Sequence, residues 1–240
     1  GDQGRKVFVI DKDGGKFVNT PIFPPELNKI YSNGEITIAE DGTIKGWEQT
    51  IVKGQADMFL KSIYKLMKSN ERRKLIESII NQRYPGAIVN EFTISDISDL
   101  NVPMEVKVEF TCPKYLSDLG EMLILPLPSE DFSAYAGLVG GNDERKYDFH
   151  LGYNMSVQKD LMISIPDNYK LGSLPKDVSI EHGFGTFIRK YEKKSDTSVK
   201  YTTSLTFNTP VISSSEYHNL KRMFETAAKE DKAQIILMRK

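Results

Sequence analysis

The chain of 240 residues holds one cysteine, one tryptophan and three histidines, and its charges sum to -1. Each scarcity excludes something. With Cys112 alone no internal disulfide can form, and a single thiol fits the cytosol and a bacterial envelope protein equally. His150, His182 and His218 lie far apart, without the short spacings of zinc ligation, so no metal site is expected. Thirty-two basic side chains stand against 33 acidic ones. The densest basic runs, Arg72-Arg73-Lys74 and Lys190 to Lys194, are interrupted by acids and read as solvated faces, so no nucleic-acid partner is expected. No run approaches the ~18 apolar residues of a membrane helix, and no membrane span is expected. No signal peptide is read at the start, and Gly1 without a methionine reads as a tag scar on a piece of a longer protein. Internal repeats and low-complexity segments are absent.

What remains is a chain rich in phenylalanine and tyrosine, 12 and 11 of them, long enough to bury a core without staples. Strand alternation is clear in places. Ile36 and Ile38 oppose Thr37 and Ala39, and Asp41-Gly42 turns the chain back into a strand carrying Trp47, for which a core or half-buried place is expected. Val106, Val108, Phe110 and Cys112 share one side of the cleanest strand, and Val199, Tyr201, Thr203, Leu205 and Phe207 share one side of another. Three prolines in "NTPIFPPELN" forbid helix and ladder.

Three stretches are helical. Leu60, Ile63, Tyr64 and Met67 form one apolar stripe over about 57–68, and Leu75, Ile76, Ile79 and Ile80 form a second, capped by Asn70 and stopped by Pro85-Gly86. Both stripes are expected as core faces. Near the C-terminus a capping box from Ser213 to Glu216 precedes Tyr217, Leu220, Phe224 and Ala227, and "AQIILM" closes the chain as a strand. Residues 129–144 have no period and three glycines, and read as a long loop or a boundary between lobes.

Reactive constellations are not found. Cys112 sits on the apolar side of its strand, before Pro113, as a packing cysteine does. "HGFGTF" at 182–187 lacks the strand-then-helix context of a phosphate loop and reads as a turn. "SDISD", Ser95 to Asp99, lacks the glycine and closing glutamate of a calcium loop and reads as a polar surface turn. The carboxylate pair Glu130-Asp131 falls in the aperiodic stretch, where no acid–base geometry can be assigned.

Several runs together carry a likeness. "GRKVFVIDKDGGKFVNTPIFPPELN", "ITIAEDGTIKGWEQTIVKGQADMFLKSIY", "NERRKLIESIINQRYPGAIVNEFTISDISDLNVPMEVKVEF", "MISIPDNYKLGSLPKDVSIEHGFGTF" and "SEYHNLKRMFETAAKEDKAQIIL" are turn and core patterns. The chain resembles the C-terminal region of bacterial proteins built from an N-terminal domain of unknown function, a transglutaminase-like core of cysteine-peptidase fold and a β-rich C-terminal domain of unknown function. The resemblance implies a periplasmic or extracellular setting and a Cys-His-Asp machinery upstream of Gly1. None of that machinery maps onto a position here.

The expected fold is mainly β (α+β): an antiparallel β-sandwich with a two-helix insertion near 57–83 and a C-terminal helix near 214–229. Residues 1–27 would follow an upstream transglutaminase-like core, and 28–240 would form the sandwich, as one body or as lobes at 28–128 and 145–240. The expected function is a non-catalytic accessory domain whose partners are that core and a cell-wall glycan or protein. The alternative is a carbohydrate- or cell-wall-binding module using Tyr135, Tyr147, Phe149 and Tyr153. No catalytic residue, cofactor or metal ligand is assigned.

Overall fold

The structure, a computed structural model, describes residues 3–130, 132–140 and 142–240. A two-stranded ribbon, β1 (Lys6–Asp11) and β2 (Gly14–Asn19), stands outside the main sheets. The proline run then crosses, through a short 3-10 turn at Pro25–Leu27, into β3 (Lys29–Ile38) and β4 (Ile44–Val52). Helices α1 (Gln55–Leu66) and α2 (Ser69–Arg83) follow, then β5 (Ile88–Ile94), β6 (Met104–Cys112), β7 (Ser117–Asp118) and β8 (Met122–Pro126). The aperiodic stretch contains a helix, α3 (Phe132–Leu138), which corrects the expectation of a plain loop. After it come β9 (Phe149–His150), β10 (Met155–Ser164), β11 (Tyr169–Ser173), β12 (Val178–His182), β13 (Gly185–Ser195), β14 (Ser198–Phe207) and β15 (Val211–Ile212). Helix α4 (Tyr217–Glu230) and β16 (Gln234–Arg239) end the chain.

The fold is mainly β, an α+β arrangement in which one large sheet is covered by a smaller sheet and helices. The large sheet has eight strands in the order β12-β13-β14-β10-β3-β4-β6-β5. All its pairs are antiparallel except β3–β10, which run parallel from Ser156↔Lys29 to Ser164↔Thr37. That pair is a seam: it joins four antiparallel strands from residues 29–112 to four from residues 155–207. The second sheet, β11-β16-β8-β7, also draws strands from both sides of α3.

Alternation decides what lies between the layers. Ile36 and Ile38, Val108 and Phe110, Leu161 and Ile163, and Val199 and Tyr201 point inward and meet Leu123, Leu125, Ile235 and Leu237 of the small sheet. Helix α4 packs Tyr217, Leu220, Phe224 and Ala227 against Phe187, Leu205 and Phe207 of the large sheet. Burying each such side chain contributes about 1.5–3 kcal/mol, so these two clusters dominate stability. Trp47 is on the other face of β4, half-buried, with the Lys107 ammonium 5.6 Å from its ring.

Two caps differ from the sequence expectation. Helix α2 starts at Ser69 rather than after Asn70, because the Glu71 carboxylate reaches back to accept the Lys68 N–H at 2.7 Å. Ser213 and Glu216 do not close a capping box. The Ser213 hydroxyl accepts the Ser215 N–H within a 3-10 turn, and Glu216 is turned to the Asn219 amide. Helix α1 is capped from a distance: buried Asn28 accepts the Gln55 N–H at 3.1 Å. Gly54, at φ 73°, allows this approach, since a Cβ there would lie 2.3 Å from the Asn28 side-chain oxygen.

Candidate functional site

Charged residues occupy the inner face of the large sheet. On β10 Lys159 shares its face with Leu161 and Ile163; on β4 Glu48 is in phase with Ile44 and Val52; on β13 Arg189 is in phase with Phe187. All three are at most 2 % exposed. The register lines up a polar row through the core: Thr50 opposite Ser32, Ser32 beside Lys159, Lys159 opposite Thr203, and Thr203 opposite Arg189.

Glu48 is the hub. Its Oε1 accepts the Tyr84 hydroxyl and the Lys159 ammonium, each at 2.6 Å, and its Oε2 accepts the Arg83 guanidinium at 2.6 Å. Lys159 Nζ also lies 2.9 Å from Glu130 Oε1, so the lysine bridges two carboxylates. Gly34 leaves the room, for a Cβ there would sit 3.0 Å from Glu48 Cγ and 2.4 Å from the Trp47 carbonyl. Burial pushes the Glu48 carboxyl up, but the Lys159 and Arg83 cations outweigh it and hold the group down at about 2. Burial would lower the Arg83 value, and Glu48 with Glu130 more than reverses that, keeping the guanidinium charged. Burial, reinforced by Glu48, pushes the Tyr84 phenol well above its ordinary range, so it serves as a neutral donor.

A second buried pair lies beyond the first. Arg189 donates to Asp231 at 2.8 Å and to the Glu230 carbonyl, and its guanidinium lies 5.4 Å from the Tyr201 ring. The other Asp231 oxygen accepts the Phe132 N–H at 2.8 Å, so one carboxylate ties β13, the first turn of α3 and the end of α4. Lys61 does similar work for the 95–103 loop: it pairs with Asp57 at 3.1 Å and donates to the Asp99 and Val102 carbonyls. These charges organise packing. They meet one another.

Between the two helices and the sheet lies a cavity of about 410 Å³. Ile63 of α1, Met67 just past its end, Leu75 and Ile79 of α2, and Val52 and Val106 of the sheet are among the residues that line it, with Glu48 and Arg83 at one end. The helix stripes are therefore only partly core. All of these side chains border the hollow, Tyr64, Ile76 and Ile80 buried and Ile63, Met67, Leu75 and Ile79 retaining exposure.

The residues singled out from sequence fall in separate places. Cys112 is fully buried, its Sγ 3.3 Å from the Pro85 carbonyl, and burial pushes the thiol up, away from the reactive thiolate. A thiol-reactive disulfide should therefore label Cys112 only as fast as the protein unfolds; prompt labelling of native protein would contradict its burial. His150 and His218 are exposed on β9 and α4, and His182 stacks on Phe184 at 5.1 Å. Among the described residues no group of three His, Cys, Asp or Glu side chains could hold a metal ion. The Gly183-Phe184 turn joins β12 to β13. Asp96 and Asp99 spend their oxygens on the Ser98 and Asn101 N–H groups, as surface turns do. Glu130 joins the Lys159 cluster, while Asp131 lies outside the described residues. Of the four aromatics, Tyr135 packs on Phe132 and Phe224, Phe149 is buried against Tyr217, Tyr153 lines a hollow with Phe59, and Tyr147 is exposed. Tyr135 and Phe149 share one apolar cluster, and Tyr147 and Tyr153 lie outside it.

Sequence reasoning missed the buried charges. The available signal was phase: Lys159, Glu48 and Arg189 each occupy an inward position of an alternating strand.

Residues 121–237 match the family model described as a domain of unknown function with a solved structure, DUF3858. The matched stretch runs from the start of β8 into β16 and holds Glu130, Lys159, Arg189 and Asp231. Glu48, Arg83 and Tyr84 lie before it, so the Glu48 cluster joins the matched stretch to the rest of the chain. A solved structure of a candidate protease from Parabacteroides distasonis ATCC 8503 is 15% identical over 50% of this chain, with a TM-score of 0.42. The match spans 24% of that protein's chain. None of the curated proteins matches.

Proposed function

We propose that this chain is a non-catalytic accessory domain of a larger bacterial envelope protein, packed beside a transglutaminase-like core in the periplasm or outside the cell. The observation that carries the reading is the state of its reactive groups. The single thiol is buried against a backbone carbonyl, and the interior charges are engaged with one another. A nucleophile must be reachable and sit beside a base, and Cys112 meets neither condition.

The β1–β2 ribbon supports a docking role. It stands outside both main sheets, and Phe8, Ile10 and Phe17 are 55%, 78% and 66% exposed. Such a concentration of apolar surface is what an interface covers. Deleting the module from the full-length protein should lower its abundance or displace it from the envelope. Unchanged abundance and location would refute the reading, as would turnover of a peptide or ester by this chain that disappears in Cys112→Ser.

A further inference from the structure

We propose that the hollow beneath α1 and α2 binds an uncharged aliphatic molecule, held through its hydrocarbon between the helices and the sheet. The inference does not rest on the accessory role, since such a pocket can serve any host protein.

Three observations carry it. The first is room. Interiors are packed close to crystal density, and voids much larger than a water are few. At about 30 Å³ per heavy atom, the share of a water in the liquid, a cavity of about 410 Å³ holds roughly a dozen such atoms. The second is the wall. It is mostly apolar, with Tyr64 as its one aromatic ring among the described residues, which suits a flexible chain. A hollow so lined stays dry, and its walls lack partner atoms that an apolar guest supplies. Helix α1 also keeps apolar surface uncovered. It buries the Asp57–Lys61 ion pair, while Phe59 and Leu66 stay 65% and 88% exposed.

The third is charge. At one end the wall reaches Glu48 and Arg83. Glu130 and Lys159 complete that set, two carboxylates against two cations. Glu48 lies 2.6 Å from both Arg83 and Lys159, and Glu130 lies 2.9 Å from Lys159. Neither sign is in surplus. A second hollow shares Leu60 as a wall; Ile30, Gln55, Ala56, Phe59 and Tyr153 complete its lining, and none of them is charged. An anionic head would meet Glu48 and a cationic one Arg83. Neither would find a free counter-charge in exchange for the water it gives up. An uncharged guest carries no such cost.

The test uses monomeric 1-decanol, decanoate and decylammonium as probes, with binding read by titration calorimetry and by shift of the unfolding midpoint. Decanol should bind, and each ion should bind at least about tenfold more weakly, a factor well within the cost of stranding a charge. The methyl NMR signals of Met67 and Met104, both in the wall, should move as decanol is added. That of Met223, in the cluster under α4, should not. Ile79→Trp, at the partly exposed rim, should abolish decanol binding without loss of fold. Absence of decanol binding to the native protein overturns the proposal, including the case of a dimer whose second copy fills the hollow. Either ion binding as tightly as decanol overturns the uncharged guest. A response at Met223 without one at Met67, or binding that survives in folded Ile79→Trp, overturns the location. The probe series and the methyl shifts on the unmodified protein decide the matter even if Ile79→Trp fails to fold.

Discussion

Replacing Lys159 by methionine should destabilise the protein by about 3–5 kcal/mol in urea unfolding at pH 7, because two buried carboxylates lose their shared cation. The lysine lies 2.6 Å from Glu48 and 2.9 Å from Glu130, and its side chain is 1% exposed. Methionine matches its volume, so the loss would report charge rather than a cavity. A loss below about 1 kcal/mol, the ceiling for exposed pairs, would mean that the cluster is solvated in solution. The same hub sets an acid limit. Glu48 is held at about 2 in the folded protein against 4.5 as its ordinary value. A depressed carboxyl stabilises the fold fully above the unfolded value and loses that contribution as pH falls through the folded one. The loss should therefore develop between pH 4.5 and about 2 and amount to roughly 3 kcal/mol. In Lys159→Met that acid-side slope should flatten.

Arg189→Met should cost about 3–4 kcal/mol by leaving Asp231 buried without its partner. Asp231→Ala should cost a comparable amount, since it also strips the Phe132 N–H of its acceptor at the start of α3. The two should not add. A double-mutant cycle should return a coupling of about 1–3 kcal/mol, because either change alone strands the other group. Strict additivity would show that the 2.8 Å pair in the structure contributes nothing in solution. The near-UV spectrum should change as well, as Arg189 lies within 6.0 Å of the Phe132, Phe187 and Tyr201 rings.

How much of this was legible varies by element. Alternation in β6 and β14 named the inward residues correctly, down to Cys112 and Thr203, because side-chain direction in a strand is a local property. The helical stripes were placed, yet both border a hollow, since periodicity reports which side is apolar and not what fills the space opposite. The 129–144 stretch hid α3 because seven residues with a glycine carry too little periodic signal. Its first N–H is satisfied by Asp231, 99 positions later, which no local pattern announces.

Composition and pattern were enough to establish a β-rich chain with three long helices and a buried lone thiol. Only the tertiary structure decided that Glu48 meets Lys159 across 111 positions and that Arg189 lies on the same polar row. The reason is the parallel seam between β3 and β10. Each strand's alternation says which way its side chains point, but a shift of register along that seam would bring a different residue of β10 within reach of Glu48. That alignment is chosen by packing of the whole sheet, and the chemistry of the interior follows from it.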